Sequence, residues 1–180
     1  MSIPKIIHYC WFGGGPINPE SRKCIESWKK YCPDYKIMAW NEQNFDISTN
    51  RYAQQAYAAK KYAFVSDYVR LAVLYRYGGI YLDTDVELVR PLDELLEHKG
   101  FIGMEHSAPS PYGRTLLVNT GSGVGAEPGC EMIGKMLAGY RNASFLQETG
   151  EPDLRTCTQR DTPLFTKAGL QQKNEQQELD

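Results

Sequence analysis

The sequence predicts a single α/β domain built on a Rossmann-like, mostly parallel central sheet flanked by helices. Three observations predict it: short apolar runs that read as buried strands, longer segments with helical apolar spacing between them, and glycine-rich stops where one gives way to the other. The 180 residues suffice to bury a core without disulfides or metal staples and leave no room for a second full domain. With 42% hydrophobic and 23% charged residues, the chain has the composition of ordinary globular material.

Taken in order, Ile3–Tyr9 carries Ile6 and Ile7 and reads as a buried strand stopped by Gly13-Gly14-Gly15-Pro16. Pro19–Tyr31 sets Ile25 and Trp28 at i, i+3 among charged neighbours and ends at Pro33-Asp34, the pattern of an amphipathic helix. Tyr35–Trp40 alternates as a second strand. From Ala53 the apolar residues recur at helical spacing, and Tyr62, Val65, Val69, Val73 and Tyr77 form a wide seam that Gly78-Gly79 stops. Ile80-Tyr81-Leu82 follows at once as a fully apolar strand ending in carboxylates. Phe101–Met104 and Leu116–Val118 read as two further strands and Gly129–Tyr140 as a helix. Beyond Tyr140 the pattern weakens, and residues 171–180 (QQKNEQQELD) form a solvated polar tail, so the folded domain is placed at residues 1–170.

Composition excludes several partners. The net charge of −2 offers no global positive field to nucleic acid or an anionic membrane. No stretch approaches the roughly 20 apolar residues of a membrane span, and the N-terminus lacks a signal-peptide core. A cytoplasmic location is expected, with any membrane association peripheral and at the inner face. The 5 cysteines include no CxxC pair, which argues for reduced thiols over a zinc ribbon or disulfide framework.

Four constellations can carry chemistry. Asp83-Thr84-Asp85 ends the apolar strand. If it is extended, the two acids point the same way about 6.6 Å apart and can address one hard cation. Mg²⁺ or Mn²⁺ held by one or two carboxylates completes its shell with waters and phosphate oxygens, so a diphosphate is the natural cargo. Solvated acids in an ordinary turn give the same pattern. Asp67 and Arg70, in Ser66-Asp67-Tyr68-Val69-Arg70, interrupt the apolar face of the helix. They form either a surface ion pair worth about 0.3–0.5 kcal/mol or a pair that hydrogen-bonds a polyhydroxy ligand. Trp11, beside Gly13 and Gly14, offers a face for base stacking, with core packing as the alternative, and His8 reads as a core histidine. Gly121-Ser122-Gly123-Val124-Gly125-Ala126 mimics a dinucleotide fingerprint, but too little chain follows it for the required βα units. It reads instead as a glycine-rich bend lining an acceptor or sugar pocket, with Asn119 and Thr120 as polar contacts.

The order IPKIIHYCWFGG, SWKKYCPDYKIMAWN, KKYAFVSDYVRLAVLYRYGGIYLDTDVELVRPLD and NTGSG resembles the DXD-containing sugar transferases of glycosyltransferase family 32. That family includes capsular-polysaccharide enzymes; more distantly, the chain is similar to the catalytic domains of large clostridial glucosylating toxins. The combination of SDxxR with GGxYxDxD is far more specific than either piece. The resemblance implies a GT-A fold, a UDP- or GDP-linked hexose donor, a glycan or glycoprotein acceptor, a Mn²⁺ or Mg²⁺ ion, and retention of anomeric configuration. Homo-oligomers are compatible with it. Trp11 would stack on the donor base with Gly13 beside it, and Tyr81 would line the nucleotide site. Asp67 and Arg70 would hold the donor sugar with Asn119, and Asp83 and Asp85 would engage the sugar and the metal diphosphate. Asp67, Arg70, Asp83 and Asp85 form the expected catalytic set. Family members continue into a closing segment with a histidine pair and a tryptophan, and residues 141–180 contain no such sequence. Two other readings compete. One is a nucleotide-sugar binding or assembly subunit without turnover. The other is a haloacid-dehalogenase-type phosphohydrolase, whose motif normally lies nearer the N-terminus and needs a downstream acidic pair.

Overall fold

The structure, a computed structural model, describes residues 2–110 and 113–179. Strands β1 (Ile6–Cys10), β2 (Lys36–Trp40), β3 (Gly79–Tyr81), β4 (Gly100–His106) and β5 (Leu116–Ala126) form one sheet in the order β2-β1-β3-β5-β4. Helices α1 (Pro19–Tyr31), α2 (Arg51–Ala58), α3 (Tyr62–Tyr77), α4 (Glu131–Ala138) and α5 (Cys157–Lys167) cover it. β1 pairs in parallel with β2 and β3, and β5 is antiparallel to β3 and β4. Four strands therefore share one direction and β5 alone is reversed, a mixed sheet of the expected α/β class. On one face Ile25 and Trp28 of α1 and Cys32 at its C-terminal end pack on Ile7, Tyr9, Ile80 and Leu82. On the other, α2, α3, α4 and α5 bury Tyr52, Val65, Val69, Met136 and Phe165 against Val118 and Val124 of β5.

Local chemistry sets the element ends. Asn18 caps α1 by accepting from the Ser21 N–H, with Pro19 in the first turn, and Asn50 caps α2 by accepting from the Ala53 N–H. Lys60 takes a φ of 57°, which separates the long helical pattern into α2 and α3. Gly78 (φ 63°) closes α3, its N–H bonded to the Leu74 carbonyl.

His8 is the core histidine expected. The Trp40 Nε1–H donates to its Nδ1 at 3.0 Å, so the ring proton sits on Nε2, which donates to the Gly78 carbonyl at 2.8 Å. Burial lowers its pKa and keeps the ring neutral. One side chain thus ties β1, β2 and the α3–β3 turn together.

Two expectations are corrected. Gly121–Ala126 is not a free bend but part of β5: Val124–Ala126 pair with both β3 and β4, and Gly121–Gly123 belong to a bulge in that strand. The weakly patterned region after Tyr140 contains α5, which the Thr156 and Gln159 capping box starts and which carries Pro163 inside it. Within residues 171–179, Gln172 hydrogen-bonds both polar backbone groups of Leu116 and Leu179 packs partly buried against the core, while Asp180 lies outside the described residues. Among the described residues, no helix is long and apolar enough to cross a membrane.

A Cβ at Gly78 would lie 2.8 Å from the Pro128 backbone nitrogen, in a left-handed conformation that L side chains rarely adopt. Gly78→Ala is expected to cost about 1–3 kcal/mol, read as a lower midpoint in denaturant titration; an unchanged midpoint contradicts the packing described.

Candidate functional site

Because β1 and β3 are parallel neighbours, their carboxyl ends open on the same edge of the sheet. Trp11 leaves β1 there and Asp83 follows β3. The Leu82 N–H bonds the His8 carbonyl at 3.1 Å, and the Asp83 N–H turns to the Gly121 carbonyl at 3.0 Å. The chain then closes a turn, with the Val86 N–H on the Asp83 carbonyl at 3.0 Å. The extended geometry expected for Asp83-Thr84-Asp85 is therefore replaced by a tight turn, because β3 ends at Tyr81, two residues before the motif.

The turn is met by a bulge in β5. Consecutive residues Ile102 and Gly103 of β4 pair with Val124 and Asn119, so residues 120–123 bow out of the ladder. Asn119 shapes the bulge: its Oδ1 accepts from the Gly121 N–H at 2.7 Å and the Ser122 N–H at 3.3 Å, and its Nδ2 donates to Glu105 at 2.7 Å. A Cβ at Gly121 would overlap Asp83 Oδ2, so the glycine provides the space the carboxylate occupies.

Arg70 stands at the centre. Its Nη2 donates to Asp83 Oδ1 at 3.0 Å and lies 3.3 Å from Asp67 Oδ1. Its Nη1 donates to Thr120 Oγ1 at 2.9 Å and to Cys157 Sγ at 3.6 Å, and the guanidinium lies 4.8 Å from the Tyr81 ring centroid. Arg70 is 3% exposed and Asp67 8%, which excludes the surface ion pair. Burial pushes the Asp67 carboxyl upward while Arg70 opposes the shift. The Tyr81 hydroxyl donates to Asp83 Oδ1 at 2.9 Å. The structure thus brings Asp67, Arg70, Tyr81 and Asp83 into one network.

Asp85 is exposed and makes no hydrogen bond or ion pair among the described residues; its charge reaches Cys24 of α1. Trp11 is half-buried, its Nε1–H donating to the Gly15 carbonyl at 2.7 Å. It packs against the α1-side cluster, whereas the thiol of its neighbour Cys10 faces Arg70, Tyr81 and Asp83 and is pushed by burial up to about 12. Gly13 (φ 97°) donates its N–H to Glu42 Oε1 and sits where any Cβ would enter the Tyr62 ring, fixing the Trp11 loop against the start of α3.

The donor set fits a hard divalent cation. Asp83 commits Oδ1 to Arg70 and Tyr81 and keeps Oδ2 beside Gly121, while Asp85 carries an uncommitted carboxylate two residues on. Among the described residues no group of three or more His, Cys, Asp or Glu is assembled around a point. Mg²⁺ and Mn²⁺ sites that rely on one or two carboxylates and substrate phosphates have this sparse character.

Sequence reasoning missed α5 and its contribution. Cys157 touches Arg70, and Asp161, 2% exposed, is raised to about 7 by burial and by the charge of Asp67. The Thr156 and Gln159 capping box was the readable signal for this helix. The unfolded chain ionises Asp161 in the ordinary carboxylate range, so this group stabilises the fold at low pH and that contribution is lost as pH rises towards about 7. Asp161→Asn is expected to raise the melting temperature at pH 8 by at least about 3 °C more than at pH 4; equal shifts at the two pH values contradict a buried neutral acid.

A family model described as the glycosyltransferase sugar-binding region containing a DXD motif matches residues 18–102. The chain is 33% identical over 131 residues to inositol phosphoceramide mannosyltransferase 3 of Schizosaccharomyces pombe, covering 64% of this chain and 33% of that protein. It is 30% identical over 111 residues to mannosyl phosphorylinositol ceramide synthase SUR1 of Saccharomyces cerevisiae, covering 56% of this chain and 27% of that one. The chain spans about a third or less of the length of these curated relatives. Among solved structures, the PaToxG glycosyltransferase superposes with a TM-score of 0.62 at 24% identity, over 92% of this chain and 68% of that one, a likeness of fold that places this domain in the GT-A class. Through residues 18–102, which contain Asp83-Thr84-Asp85, the chain is similar to the family of DXD-containing glycosyltransferase sugar-binding regions.

Proposed function

We propose that the chain is a metal-dependent, retaining glycosyltransferase that moves a hexose from a UDP- or GDP-linked donor to a glycan or glycoprotein acceptor. One observation carries this reading: a buried arginine and a tyrosine fix one oxygen of Asp83 at the sheet's rim, while its other oxygen and the whole of Asp85 stay uncommitted in the same turn. The names of the two yeast relatives favour mannose as the hexose and add an inositol phosphoceramide headgroup to the acceptors worth assaying.

Asp83 and Asp85 would hold Mn²⁺ or Mg²⁺, which when bound supplies Lewis-acid stabilisation of the charge on the departing diphosphate. Asp67 accepts hydrogen bonds from sugar hydroxyls, and Arg70 holds Asp67 and Asp83 at a fixed separation for that contact. Tyr81 donates to Asp83 and thereby orients the carboxylate without neutralising it. Trp11 offers its indole face to the donor base, and the Gly13 loop supplies backbone groups for its edge. Asn119 acts through the bulge it shapes. A diphosphate leaving group needs no protein proton donor, and no carboxylate is assigned as a covalent nucleophile.

Asp85 is exposed and makes no contact that the fold requires. Asp85→Asn is therefore expected to abolish the Mn²⁺-dependent part of donor binding in calorimetry while leaving the melting curve unchanged. Retained metal dependence in that variant removes the metal role. Trp11→Ala is expected to weaken free UDP or GDP as much as the full donor, by about 1–3 kcal/mol; a loss confined to the sugar-bearing donor would show that the base lies elsewhere.

A further inference from the structure

Behind Asp67 and Arg70 lies a layer of polar side chains to which the donor reading gives no role. Asp161 of α5 is 2% exposed, Tyr52 of α2 0%, and Tyr140, just after α4, 1%. Asp161 Oδ2, the Tyr52 and Tyr140 hydroxyl oxygens, Arg160 Nε and Arg70 Nε are all buried without a hydrogen-bond partner among the described residues. Asp161 lies one helical turn after Cys157, which Arg70 reaches at 3.6 Å, and the other three side chains are neighbours. The two tyrosine rings meet edge to face at 5.0 Å, and the Arg160 guanidinium lies 5.0 Å from one ring centroid and 5.5 Å from the other.

The charges around Asp161 come from several elements. Asp67 and Arg70 of α3 and Arg160 of its own helix act on it, and Cys157 and Tyr140 feel its charge in turn. Of the two arginines, Arg160 is committed at 2.7 Å to Asp153, which Arg155 holds at 2.7 Å from the far side. Arg70 is committed to Asp67 and Asp83. Asp161 is therefore the acid left over, and burial of an unpaired carboxylate favours its protonated form.

The protonation state of Asp161 bears directly on Arg70. As a neutral acid it makes no claim on the guanidinium. Once ionised, its unpartnered oxygen would compete with Asp83 for Arg70, whose Nε lacks a partner among the described residues. We infer that Asp161 is a positioning residue of the donor site, holding a proton that leaves the Arg70 contacts to Asp67 and Asp83 uncontested. This inference rests on the donor reading proposed above and adds to it a residue that acts through Arg70 without touching substrate.

The test compares wild type with Asp161→Asn, which locks the side chain in an uncharged shape, by calorimetry with GDP-mannose and UDP-glucose plus Mn²⁺ at pH 6 and pH 8. A group titrating at about 7 whose charged form binds poorly lowers affinity by about tenfold over this interval. The wild type is expected to lose about that factor for whichever donor it binds, and the variant to keep its pH 6 affinity at pH 8. A parallel loss in both proteins, or no loss in the wild type, overturns the inference. Failure of the wild type to bind either donor at both pH values overturns the donor reading, and the positioning role falls with it. Independently of ligand and variant, the Asp161 carboxyl carbon in the NMR spectrum of the wild type is expected to titrate near neutrality, and a midpoint near pH 4 overturns the inference even where binding is pH-dependent.

Discussion

A guanidinium that is almost fully buried is tolerated only where acids and hydroxyls take up its donors, and Arg70 organises the sheet's rim for that reason. Its fork reaches three separate pieces of chain: Asp67 one turn earlier on α3, Asp83 after β3, and Thr120 in the β5 bulge. Removing the arginine would strand two acids, one of them deeply buried. Tyr81 and Asn119 add to that hold, the one on Asp83 and the other on the bulge that carries Thr120. The site is therefore one electrostatic unit spread over elements that are distant in sequence, and its parts cannot be weighed separately.

Glycine gives this unit its shape. At Gly121 the missing side chain is the volume that Asp83 occupies, and at Gly13 it is the volume of the Tyr62 ring. The bulge that carries Gly121 is itself held by Asn119, so a residue expected to touch sugar does its visible work on the backbone. His8 performs a similar task below the rim, where it joins β1 and β2 to the glycine that ends α3. The rim thus rests on a rigid floor, which suits a site that must present carboxylates at fixed positions.

Much of this was legible in the sequence, and what was not has physical causes. The bounds of α1 follow from Asn18, Pro19 and the Pro33-Asp34 stop, and the end of α3 from Gly78-Gly79, because caps and breakers act over a few residues. SDxxR with GGxYxDxD marked the four residues that the structure assembles. Whether Asp67 and Arg70 were buried was undecided, since an i, i+3 pair looks the same on a surface and in a core. The strand carried by Val124–Ala126 is not legible in the sequence because pairing with β3 and β4 is a long-range fact that a glycine-rich string does not display. α5 was missed because Pro163 and its many polar residues obscure the apolar spacing, although its capping box was in plain view.

The central claim is that Asp83 and Asp85 grip one divalent ion at the rim while Arg70 and Tyr81 hold Asp83 from behind. Anomalous diffraction from crystals grown with Mn²⁺ and GDP or UDP addresses it most directly. The expected result is a single Mn²⁺ peak within coordination distance of an Asp85 carboxylate oxygen, bridging to the diphosphate, with the Arg70 bond to Asp83 intact. A peak bound elsewhere on the chain, or a diphosphate seated away from this turn, would contradict it.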